Sequence, residues 1–162
     1  MNTHNQNAAE SKAKGQTERA QVSASAGVEI SLVQATAGLH ILAPFISKGQ
    51  MQALWDLCRK GEEKAYFKAQ VMELALLIKT MPKTYEQDGL GLRAVAHLHY
   101  FTPVFDFYIT EKDRTGSGTQ QAFGLACAHE REIGYISIRQ LVEAGAELDL
   151  HWVPKTPTEI GR

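Results

Sequence analysis

The sequence predicts an α+β protein: an antiparallel sheet of about four to five strands, with N-terminal helices and one short helix packed on one face. Three observations carry that expectation. Apolar residues recur at helical spacing between Ser47 and Pro82. From Val95 onward they alternate with period two. Short turn-rich connections join the alternating segments, as hairpins require.

Residues 1–27 hold no Val, Ile, Leu, Phe, Trp or Tyr except Val22. Such a segment buries too little apolar surface to offset its ordering entropy, and it reads as a flexible tail. An N-terminal helical segment follows over 28–80, and an α+β domain over 81–160. Val28, Ile30 and Leu32 alternate with polar residues and suggest a short strand. Leu39 to Ile46 is apolar but interrupted by Pro44, and its state stays open.

Ser47 suits a helix N-cap. Met51, Leu54, Trp55 and Cys58 then line one apolar face at i, i+3, i+4 and i+7. Gly61 fits the position just past the helix end. A second helix begins near Glu62 and Glu63, runs through Phe67, Val71, Leu74, Leu77 and Ile78, and stops at Pro82. Its second half is apolar on nearly every side and should be buried against a sheet.

Four strands are expected at Val95–Phe101, Phe105–Thr110, Ala122–Ala128 and Gly134–Ile136. Gly124 marks a bulge or a close backbone approach. Ser137 caps a short helix from Ile138 that ends at Gly145, Leu148 to Val153 reads as a last strand, and Thr156 to Arg162 as a polar tail.

Composition excludes several classes. The chain has 162 residues, with 17 basic and 18 acidic side chains and a formal net charge of −1. A protein held on nucleic acid by phosphate contacts shows a basic excess or patch, and the charges here are interleaved, so direct nucleic-acid binding is not expected. No apolar run approaches the length of a bilayer span, and the N-terminus lacks a signal-peptide pattern, so a cytoplasmic, non-membrane protein is expected. Cys58 and Cys127 then read as reduced, buried thiols.

A set of short motifs lies in the second half: Met81-Pro82-Lys83-Thr84-Tyr85-Glu86, Tyr100-Phe101-Thr102-Pro103, Phe107-Tyr108-Ile109-Thr110-Glu111 with Asp113, Ala122-Phe123-Gly124-Leu125, Glu132-Ile133-Gly134-Tyr135-Ile136-Ser137, and Asp149-Leu150-His151-Trp152. In order and spacing this set resembles the DUF2958 family of bacterial proteins. Members of that family are often encoded on plasmids, integrative elements and phages, sometimes beside antirestriction-type domains. No activity is established for them, so the resemblance implies a mobile-element accessory protein and supplies no catalytic residue. Leu148 departs from the basic residue that the family often carries before the position of Asp149.

His97 and His99 stand at i, i+2 on a strand and form a weak metal pair, with Asp106 or Tyr108 as a third ligand. Glu111, Asp113, Glu130 and Glu132 could converge at one end of the sheet and serve a cation or acid–base work. A small metal-dependent hydrolase using Glu111, Asp113 and His99 is therefore the alternative. Neither cysteine has a base beside it, and no Gly-Xaa-Ser-Xaa-Gly elbow or phosphate loop occurs. No catalytic residue and no cofactor are assigned. By alternation Phe101, Phe105, Phe107, Phe123 and Tyr135 mostly belong to the core, whereas Tyr108 and Trp152 fall on the opposite phase and should be partly exposed. Exposed aromatics on a sheet anchor protein partners. The candidate binding set is Tyr108, Glu111, Asp113, Tyr135 and Trp152. The expected function is non-enzymatic: binding of a host or element-encoded protein, in the anti-defence or antirestriction setting that the resemblance implies. The oligomeric state is left open.

Overall fold

The computed structural model describes residues 28–161. The expected tail, 1–27, lies outside them. The described residues form an α+β fold of four α-helices and a five-stranded antiparallel sheet.

Three helices come first: α1 (Leu32–Leu42), α2 (Lys48–Arg59) and α3 (Lys64–Thr80). The strand expected at Val28–Leu32 does not form. Ser31 instead opens α1 with a capping box: its hydroxyl accepts from Gln34 N, and the Gln34 side chain accepts from Ser31 N. That reciprocal pair outweighs a three-residue alternation. α1 gives way to a single 3-10 turn at Ala43–Phe45, where Pro44 is accommodated in the first turn. Ser47 caps α2 as expected, by accepting from Gln50 N. Leu54 and Cys58 are buried on its apolar face, and Gly61 takes a φ of +88° just past the end. In α3, Val71, Leu74, Ala75 and Ile78 are buried, but Leu76 is exposed, so burial is one-sided rather than all round. At Gly38, α1 passes so close to Val71 of α3 that a Cβ would lie 2.8 Å from the valine methyl.

The strands are β1 (Leu98–Phe101), β2 (Asp106–Glu111), β3 (Ala122–Cys127), β4 (Arg131–Ile136) and β5 (Glu147–Leu148). Their order across the sheet is β4-β3-β2-β1-β5. The helix α4 (Ile138–Glu143) follows β4, capped by Ser137. The last strand is shorter than expected. Asp149 N still donates to His99 O, but the Asp149 carboxylate accepts from His151 N in a turn that interrupts the pairing with β1, which resumes only as an isolated bridge between Ala96 and Lys155.

One face of the sheet, with Leu98, Tyr100, Ile109, Ala122 and Ile136, packs on the helices and forms the main core. The fully buried Tyr100 hydroxyl donates to Phe45 O at 2.7 Å. The opposite face carries a smaller cluster of Ala96, Tyr108 and Leu125, covered by Trp152 and Ile160 from the C-terminal segment. Both layers hang on Gly124. A Cβ there would stand 2.1 Å from Tyr108 O, so β2 and β3 approach to a distance only glycine allows. The register shifts beside it, between Ile109 and Glu111. The extra residue puts Glu111 opposite Phe123, on the second face rather than the helix face.

Candidate functional site

The second face presents two constellations. The first surrounds His99. Its Nε2 is 2.7 Å from Asp106 Oδ1 and its Nδ1 is 3.2 Å from Asp149 Oδ2. The ring stacks on Tyr108 with centroids 4.7 Å apart, and Trp152 lies 5.0 Å away. The Trp152 indole N–H donates to Ala96 O, which ties the C-terminal segment down. Burial pulls the His99 pKa down, but the hydrogen bonds and charges of Asp149 and Asp106 outweigh it and leave the imidazole raised above its ordinary value. The ring is paired with a carboxylate at each nitrogen and holds the turn after β5 onto β1 and β2. Both nitrogens are engaged, so neither can ligate a metal or move a proton without breaking a carboxylate contact.

The second constellation lies around β4, an edge strand. Alternation puts Arg131, Ile133 and Tyr135 on the second face, opposite Cys127, Leu125 and Phe123. Ile133 and Tyr135 are exposed, at 43% and 58%. The Tyr135 hydroxyl lies 2.8 Å from that of Tyr85, which is itself 59% exposed. Phe123 supports Tyr135 edge-on at 5.5 Å, and the Arg114 guanidinium sits 5.8 Å from the centre of the Tyr85 ring.

Tyr85 is held there by its backbone. It is the only non-glycine residue with positive φ among those described, at +80°. Such a conformation costs about 1–2 kcal/mol for a residue with a Cβ. What compensates is the carboxylate of Glu111, a residue only 3% exposed, which accepts from Tyr85 N at 2.9 Å and from Gln87 N at 2.6 Å. Thr84 adds its N–H, which donates to Lys112 O, and its hydroxyl, whose one proton lies between Lys112 O and Gln121 O. The Gln87 side chain bonds Val95 N, Val95 O and Thr110 O. The turn is thus clamped to the end of β2.

The two edges of the sheet differ. At β5 the Gln50 carboxamide donates to Leu148 O at 2.9 Å and accepts from Leu148 N at 3.0 Å, as a further strand would. Among the described residues, β4 has no such partner on its outer side.

The expected site residues divide accordingly. Tyr135 is an exposed surface residue rather than core. Glu111 is placed at the site but buried beneath it, so it positions Tyr85 and does not itself meet a partner. Tyr108 is 9% exposed and lies under Trp152 and His99, so its expected exposure is corrected: the C-terminal segment covers it. Trp152 is half-buried in the same cluster. Asp113 is buried in the β2–β3 hairpin, where it accepts from Thr115 N, Thr115 Oγ1 and Gln121 N. Those bonds, the Thr115 amide first, hold its carboxyl below the usual carboxylate range. Glu111 and Asp113 do not converge with Glu130 and Glu132. Antiparallel register sets Glu111 beside Phe123, and the turn holding Glu130 beside Asp106, at opposite ends of β2. His97 precedes β1; among the described residues it shares no partner with His99 and its buried Nδ1 has no hydrogen-bond partner, and burial pushes its pKa down. Among the described residues no group of three or more His, Cys, Asp or Glu is placed to hold a metal ion. Both cysteines are free, and burial raises both thiols.

Tyr85, Arg114, Ile133 and Gln50 were not among the candidates. Tyr85 and Ile133 lie inside the motifs above, but nothing local announces a positive φ or an edge position. No family model, curated protein or solved structure matches the chain. Among the described residues no helix is long and apolar enough to cross a membrane.

Proposed function

We propose that this chain is a non-enzymatic accessory protein that binds a protein partner along β4, in the cytoplasm of a cell carrying a plasmid, integrative element or phage. One observation carries the binding part: β5 is sealed by Gln50, whereas among the described residues β4 has no partner on its outer side and is lined by exposed Ile133 and Tyr135, with Tyr85 held beside them. Clustered exposed aromatic and aliphatic side chains are the usual anchors of protein interfaces. The mobile-element setting, and the anti-defence role within it, rest on the resemblance of residues 81–160 to DUF2958 proteins. A net charge of −1 favours binding a defence protein over imitating DNA.

The test is affinity purification of the tagged full chain from cells that carry its gene naturally, with nuclease treatment, beside Ile133→Lys and Tyr135→Lys. The expected result is one stoichiometric, nuclease-resistant protein retained by the native chain and lost by both variants. Retention by both variants removes the surface, and a nuclease-sensitive partner removes the reading. Plasmid transfer into restricting hosts, with and without the gene, tests the anti-defence role; equal efficiencies count against it.

A further inference from the structure

Building on the reading of β4 as the docking edge, we infer that its occupant is an extended segment of another protein that adds a sixth strand to the sheet. The segment carries acidic residues at both ends of a short alternating apolar run.

The edge supplies the backbone part. β4 is six residues long, contains no proline, and its outer amides and carbonyls have no partner among the described residues. It also overhangs the core: Glu132 is exposed, and nothing lies within 4 Å of a Cβ built on Gly134. On the helix side the space beside Glu132 and Gly134 is therefore open to an incoming strand.

Charge supplies the specificity. Arg131 stands at one end of the Ile133–Tyr135 strip, on the same face. Arg114 stands at the other end, over Tyr85, whose hydroxyl touches that of Tyr135. Both guanidiniums are exposed, and among the described residues neither is within ion-pair distance of a carboxylate. Among the described residues Arg131 bonds only Gly161 O. A strand laid along β4 places every second side chain on this face. It then reads acidic, any, apolar, any, apolar, any, acidic, a span of about 20 Å from the first residue to the last. On the reverse face it meets the Glu132 carboxylate and then the bare Gly134.

Two other occupants fit less well. A second copy of this chain, paired antiparallel through β4, brings Arg131, Ile133 and Tyr135 to the same face and no carboxylate to either arginine. Residues 1–27 place Ala20, Val22 and Ala24 in alternation after Glu18, but Val22 is their only Val, Ile, Leu, Phe, Trp or Tyr and no acidic residue closes the run, so they match the pattern at one end only.

The test is selection of a phage-displayed library of random dodecapeptides on the immobilised full chain, followed by fluorescence anisotropy of the synthesised winners. We expect winners that alternate as above with acidic ends. N-methylation of their amides at alternate positions should weaken binding about tenfold or more in one of the two phases and little in the other. Arg114→Ala and Arg131→Ala should each weaken binding several-fold, with melting curves confirming that both variants are folded. Winners that lose binding to Tyr135→Ala but ignore N-methylation would overturn strand addition while leaving protein binding at this surface intact. No winner, or winners indifferent to Ile133→Lys and Tyr135→Lys, would overturn both. The methylated peptides need no protein variant, so a misfolded mutant cannot obscure the answer.

Discussion

The carboxamide of Gln50 exchanges two hydrogen bonds with the backbone of Leu148, 98 residues further along the chain. A side chain here does what a neighbouring strand would do, and it closes β5. Leu148 is itself buried in the main core, where a basic side chain would be uncompensated. Gln50→Leu leaves both Leu148 backbone groups unpaired at a half-buried site and should cost about 1–3 kcal/mol. Chemical denaturation measures the loss. An unchanged midpoint would mean that water replaces the carboxamide at no cost.

Glu111 acts through Tyr85. Glu111→Gln keeps the shape but loses one of the two amide contacts, at about 1–3 kcal/mol. Partner affinity should fall with it, because the Tyr85 ring is no longer held against Tyr135. Tyr85→Gly removes both the ring and the strain of φ +80°, so it should weaken binding without lowering stability. A large drop in melting temperature for Tyr85→Gly would show that the ring, not the backbone, is what the fold needs.

The His99 pairing makes stability depend on pH with a definite sign. Its folded pKa is raised, so its contribution is complete below about pH 6.5 and is lost as pH rises through the folded value. Asp149 has a depressed pKa, because its bonds to His99 and to His151 N outweigh its burial. Its contribution is present above about pH 4 and is lost as pH falls through the folded value. Melting temperature should therefore be highest near pH 6.5 and decline on the alkaline side, while below it the buried His97, whose pKa burial lowers, favours the unfolded chain. His99→Gln should flatten the alkaline decline; an unchanged decline would assign it to another group.

Gly124→Ala should be among the most damaging single substitutions, since the added carbon meets backbone 2.1 Å away. We expect a loss of about 3 kcal/mol or more. A circular-dichroism melt decides it, and a native-like Tm would show that β2 and β3 can separate without consequence.

Local chemistry was largely legible in the sequence. Ser47 and Ser137 cap helices where their positions said they would, and Gly124 sits at a close approach. The α+β class follows from the change of period near Pro82, because a helix face and a strand face each repeat on a fixed local interval. The capping box of Ser31 and Gln34 was also there to be read, and a short alternation hid it. Tertiary structure alone decided the rest. The bulge between Ile109 and Glu111 sends a carboxylate to the other face, and antiparallel register carries Glu130 and Glu132 away from it. Sheet order makes β4 an edge, and the segment beyond β5 buries Tyr108 beneath Trp152. Each of these depends on which distant residues meet. A local period says which way a side chain points, whereas its neighbours are set by pairing across the whole sheet.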